Sequence, residues 1–139
     1  YGFINKAGKI VISPQFENAS MFREGYAGVK IGGMWGYIDR TGKVVIKPQI
    51  AVFTLFQEGL AAVKIDGKWG FIDKIGNIVV KPQFESTRGY FNKGLVAVKI
   101  DDKWGYIDKT GNLVIKQQFD DVSYVFYGEE FAGVNIDGK

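Results

Sequence analysis

Self-similarity at a period of about 35 residues constrains this chain more than any other feature, because a fixed period selects a repeat architecture before any local structure is assigned. Four copies run over residues 1–34, 35–68, 69–103 and 104–139. The second reads WGYIDRTGKVVIKPQIAVFTLFQEGLAAVKIDGK and the third WGFIDKIGNIVVKPQFESTRGYFNKGLVAVKIDDK. The fourth keeps WGYIDKTGNLVIK, and the first opens YGFINKAGKIVISPQF. Copies differ in length between the PQF-like and GLA-like elements, which marks that stretch as loop.

Each copy reads as a three-stranded antiparallel meander whose register is set by its turns. Asp66-Gly67 between alternating residues signals a two-residue type I′ hairpin, which pairs Ile65 with Lys68. Asp73 to Asn77 suits a three-residue turn ending on a left-handed Gly, capped by the Asp, and pairs Ile72 with Ile78. Alternation then puts Ala61, Val63, Ile65, Gly70, Ile72, Ile78 and Val80 on one face, and Leu60, Ala62, Lys64, Trp69, Phe71, Val79 and Lys81 on the other. Both faces are largely apolar, so each sheet is expected to be covered on two sides by neighbouring copies. In this register Trp69 lies between Lys64 and Lys81, as Trp35 does between Lys30 and Lys47 and Trp104 between Lys99 and Lys116. The lysine stems would flank the indoles. The glycine after each Trp (Gly36, Gly70, Gly105) implies that a neighbouring backbone or ring packs against the bare position.

The compound pattern of Trp-Gly, an aromatic, Ile-Asp, a turn Gly, a Val/Ile run and Pro-Gln-Phe resembles the WG, or KWG, repeat family over nearly the whole chain. The resemblance implies a bacterial β-repeat module, often part of a larger chain, and supplies no catalytic residues to carry over. A cell-surface, secreted or periplasmic setting is expected ahead of the cytoplasm, although the residues leave the compartment open. Departures from the pattern are Tyr1 for Trp, Ile50 for the Phe of PQF, Gln117 for its Pro, and Asp101-Asp102 for Asp-Gly.

The fold class expected is therefore all-β, a single repeat domain over 1–139, with the meanders stacked in an open solenoid-like array. The alternative is a closed four-bladed propeller-like ring, in which Phe131 to Ile136 would pair with Tyr1 to Ile4. No apolar run is long enough to span a bilayer as a helix.

Chemistry is narrowed by what is missing. With no His and no Cys, the commonest general base, the commonest metal ligand and the Ser-His and Cys-His nucleophile systems are all unavailable. Asp39, Asp73 and Asp108 recur at one turn position and read as turn caps rather than a carboxylate site. We expect no catalytic residue, no metal site and no cofactor. The net charge of +3 is spread along the chain, which argues against nucleic acid.

A non-catalytic interaction role remains, with a protein partner or self-association expected. Glycan or cell-wall polymer binding through the tryptophans is one alternative, and filament assembly by end-to-end β pairing is another. Because repeats hold the scaffold constant, the loops that vary between copies carry the candidate contacts: Met21, Phe53, Tyr90, Tyr124, Phe126 and Tyr127. Trp35, Gly36, Trp69, Gly70, Trp104 and Gly105 are assigned to the structural motif. Phe22, Phe56, Phe91 and Phe126 recur before the Gly of the GLA-like element, as inter-repeat core would.

Overall fold

The computed structural model describes residues 1–123 and 131–139. Among the described residues it is all-β, with strands in five small antiparallel sheets in sequence order. The first sheet holds β1 (Phe3–Ile4) and β2 (Ile10–Ile12). The second holds β3 (Asn18–Ala19), β4 (Tyr26–Ile31), β5 (Met34–Asp39) and β6 (Val44–Ile50). The third holds β7 (Val52–Phe53), β8 (Leu60–Ile65), β9 (Lys68–Asp73) and β10 (Ile78–Phe84). The fourth holds β11 (Ser86–Asn92), β12 (Leu95–Ile100), β13 (Lys103–Asp108) and β14 (Leu113–Phe119), and the fifth β15 (Asp121–Val122) and β16 (Val134–Asn135). The array is open: β1 pairs with β2 and β16 with β15, so the strands that ring closure would join are not paired to each other.

The turns behave as their chemistry dictates. Asp66 and Gly67 have φ of 49° and 79°, and Ile65 pairs with Lys68. Asp101 and Asp102 take the same turn at 49° and 62° without a glycine, a left-handed placement that costs Asp102 about 1 kcal/mol relative to Gly. Asp73 Oδ1 accepts the amides of Ile75 (3.0 Å) and Asn77 (2.9 Å), while Gly76 N donates to Asp73 O (3.1 Å), and Ile72 pairs with Ile78.

Two features differ from the sequence expectation. Each central sheet has a fourth, leading strand drawn from the stretch read as loop, and β6 passes into β7 of the next sheet through Ala51 alone, as β10 passes into β11 through Glu85. The sheets are therefore out of phase with the Trp-Gly repeat. The second difference is a bulge. Val80 pairs with Phe71 but Phe84, not Lys81, lies opposite Trp69, because Lys81-Pro82-Gln83 bow away from the ladder. Proline has no amide to give to a ladder, which favours irregularity at such a point. The bowed backbone crosses Gly70, where a Cβ would sit 2.6 Å from Val80 O and 2.7 Å from Pro82 N. The same approach recurs at Gly36 and Gly105, so the backbone expected to press on this glycine belongs to the adjacent strand. The expected lysine–indole–lysine sandwich is corrected accordingly: Lys64 faces Trp69, but Lys81 is exposed and unpaired with it.

Both faces of the middle strands are buried, as their composition requires. Ala27, Val29, Tyr37 and Ile38 lose nearly all their exposure, as do Ala61 to Val63 and Val96 to Val98. The core lies between sheets: one cluster joins Phe71, Val80 and Phe84 of the third sheet to Phe91, Val96, Val98 and Ile107 of the fourth. A second joins Tyr37, Ile46 and Ile50 to Val63 and Ile72. Burial of this order stabilises by about 25 cal/mol per Å² of apolar surface, and a single sheet could not achieve it alone.

Candidate interaction surface

Adjacent sheets are locked by a contact that repeats along the array. Glu24-Gly25, Glu58-Gly59 and Lys93-Gly94 each form a two-residue turn between the leading strand segment and the next strand, with φ of 48° and 91°, 51° and 85°, and 51° and 79°. The carboxylate on one turn grips the next. Glu24 accepts the amides of Glu58 (2.7 Å) and Gly59 (2.9 Å), and Glu58 accepts those of Lys93 (2.6 Å) and Gly94 (2.9 Å). A lysine closes each link: Lys74 Nζ lies 3.3 Å from Glu24 Oε2 and donates to its carbonyl, and Lys109 does the same to Glu58. Partial burial pushes the Glu24 carboxyl up, but the amides of Gly59 and Glu58 and the Lys74 ammonium outweigh it and hold it below the usual glutamate value.

A second carboxylate caps the other end of the second, fourth and fifth sheets. Glu17 accepts Gly33 N, Glu85 accepts Asp101 N (3.0 Å) and Asp102 N (3.3 Å), and Asp120 accepts Asp137 N (2.7 Å). The third sheet has Ala51 at this position. Asp39 and Asp108 are each held below the usual carboxylate range, chiefly by the hydroxyls of Thr41 and Thr110 in their own turns. No group of three or more potential metal-ligating side chains occurs among the described residues.

The candidate contact residues are placed unequally. Met21 is 68% exposed. Phe53 is half-buried over Gly28, with its ring 4.6 Å from that of Trp35 and edge-on to Tyr37 at 5.4 Å. Tyr90 is exposed on one side, with the Arg23 guanidinium 5.3 Å from its ring centre. Tyr124, Phe126 and Tyr127 lie outside the described residues. Trp35 and Trp69 are half-buried and Trp104 is buried under the Arg88 guanidinium, 4.7 Å from its ring. Phe56 and Phe91 are core, and Phe22 packs edge-on to Phe3.

Sequence reasoning missed the Glu-Gly turns and the links they make. Their signal was available in the recurrence of Glu24-Gly25 and Glu58-Gly59, each followed at one fixed spacing by a basic residue, Arg40 and Lys74.

Sheets that follow one another in sequence order, with the second gripping the third and the third the fourth through one repeated set of contacts, define a tandem β-repeat array of the open kind. The chain belongs to the WG containing repeat family, whose model matches residues 1–35, 35–69, 69–104 and 104–139. No curated protein and no solved structure matches it. No helix among the described residues is long and apolar enough to cross a membrane.

Proposed function

We propose that the chain is a non-catalytic interaction module whose partner is another β-repeat unit, on the same polypeptide or a second one, engaged through the open edges of its end sheets. The two end sheets are complementary halves of one design. Val122↔Val134 repeats the Ala19↔Val29 pairing of the leading strands, and Phe3↔Ile12 repeats the Tyr37↔Ile46 pairing of the trailing ones. In the repeat register Val134 of one unit would lie opposite Gly2 of another, as Val29 lies opposite Gly36.

The observation that carries this reading is the exposure of edge residues whose counterparts are core. Ile4 is 66% exposed where Ile38 and Ile72 are 0% and 4%, and Val134 is 42% exposed where Val29 and Val63 are 0% and 1%. An unpaired strand edge carrying apolar side chains recruits another strand, and burying each such side chain is worth about 1.5 to 3 kcal/mol.

Sedimentation velocity over the micromolar range tests the reading. The expected result is mass that grows with concentration and reverts to monomer in Ile4→Lys and in Val134→Lys. A wild-type chain that stays monomeric throughout would remove it. The glycan alternative gains nothing from the indoles, since Trp104 is covered and Trp35 and Trp69 present only part of their surface.

A further inference from the structure

The second sheet carries the same receiving site that the third and fourth sheets use to hold a glutamate. In the third sheet this site is made of Glu58 N, Gly59 N and Lys74, and in the fourth of Lys93 N, Gly94 N and Lys109. Both turns that build it belong to one sheet. Their relative placement is fixed by the pairing of the strands between them, Leu60↔Asp73 and Leu95↔Asp108.

The second sheet pairs Tyr26↔Asp39 in the same register, with Glu24-Gly25 in the same left-handed turn. Arg40 follows Gly25 at the spacing at which Lys74 follows Gly59 and Lys109 follows Gly94. The Asp39 turn closes on Gly42 as the Asp73 turn closes on Gly76, with amide-to-carbonyl distances of 3.0 and 3.1 Å. Among the described residues, Glu24 N and Gly25 N make no hydrogen bond and Arg40 no ion pair.

We infer that Glu24 N, Gly25 N and the Arg40 guanidinium form a binding site for the carboxylate of an acidic side chain on a partner, a glutamate presented as Glu24 and Glu58 present theirs. Two neighbouring turn amides converge on an anion, and an Arg in place of Lys adds a planar pair of donors matched to a carboxylate. The surroundings select a protein side chain over a free ion. Arg40 and Lys6 both line an open cleft of about 480 Å³ whose other walls are Asn5 and the apolar side chains of Phe3, Ile4, Val11, Ile12 and Phe22, so the element that supplies the acid would also fill a largely apolar hollow. The identity of the partner rests on the functional reading above; the carboxylate site itself stands on the geometry of the second sheet.

Titration of the nitrogen-15-labelled chain with glutarate, followed by amide chemical shifts, tests the site directly. The amides of Glu24 and Gly25 should move saturably, while those of Glu58, Gly59, Lys93 and Gly94, already bonded to carboxylates, should stay still. Arg40→Ala should weaken the response about fivefold, and Arg40→Lys should keep most of it. Equal movement of the Asp66 and Gly67 amides, which form an open turn without this cation, would overturn the inference, as would indifference to Arg40→Ala or an equal response to inorganic phosphate. Sedimentation of the same samples separates the two ideas. Assembly with silent Glu24 and Gly25 amides would remove the site and leave the functional reading. Responsive amides in a strictly monomeric chain would do the reverse.

Discussion

The Phe71–Phe91 pair inside the array and the Phe3–Phe22 pair at its beginning make the same edge-on ring contact, at 5.0 and 4.7 Å, yet only the first is sealed from water. Phe71 and Phe91 are each 1% exposed, whereas Phe3 and Phe22 are half-buried. The repeat therefore fixes which rings meet, but the neighbouring sheet decides whether the contact becomes core. Geometry is local to the motif; stability is shared between copies.

The largest expected effect separates the two pairs. Phe91→Ala should lower stability in urea denaturation by about 3 to 5 kcal/mol through the cavity it leaves, and Phe3→Ala by less than half as much. Equal losses would break the comparison. Next, Gly70→Ala should cost about 1 to 3 kcal/mol, since its Cβ would meet backbone on the bulged strand that cannot withdraw without unpacking the core between sheets. Gly2→Ala makes the same collision, 2.5 Å from Ile12 O, but on a sheet of two strands rather than four, and should cost less in the same measurement.

Smaller effects sharpen the role of the inter-sheet links. Because the Glu24 carboxyl is depressed in the folded state, its contribution is present above the unfolded glutamate value and is lost as the pH falls through the lower folded one. Acid titration of stability should show a loss below the ordinary glutamate range that is shallower in Glu24→Gln, by about 1 kcal/mol or less given its partial exposure. Last, Ala51→Glu should supply to the Asp66-Gly67 turn the cap that Glu85 gives to Asp101 and Asp102. It should raise the denaturation midpoint by an amount equivalent to about 0.5 kcal/mol.

The strand order within a sheet was legible because two-residue and Asp-capped turns fix register by local chemistry, and Ile65↔Lys68, Lys64↔Trp69 and Ile72↔Ile78 all followed from it. Burial on both faces was legible from composition alone. The displacement of Lys81 was not, because strict alternation has no term for a bulge and Pro82 marks its place without giving its size. The Glu24 and Glu58 links were hidden for a different reason. They join residues one whole repeat apart, and no pattern inside a single copy distinguishes a glutamate that grips the next turn from one that faces solvent. Of the candidate contact residues, Phe53 could not be separated from core by sequence, since an aromatic at a variable position fits either a loop or the hollow over Gly28.

The single residue between one sheet and the next has a bearing on the form of the whole array. Ala51, Glu85 and Asp120 each join two strands that belong to different sheets, so two backbone angles at each of these residues carry the rotation from sheet to sheet. Three of the crossings from sheet to sheet thus lie outside the core that holds the sheets together. Proline at one of them would fix the bend of that crossing without removing a buried side chain, and the core between the sheets would have to accommodate it.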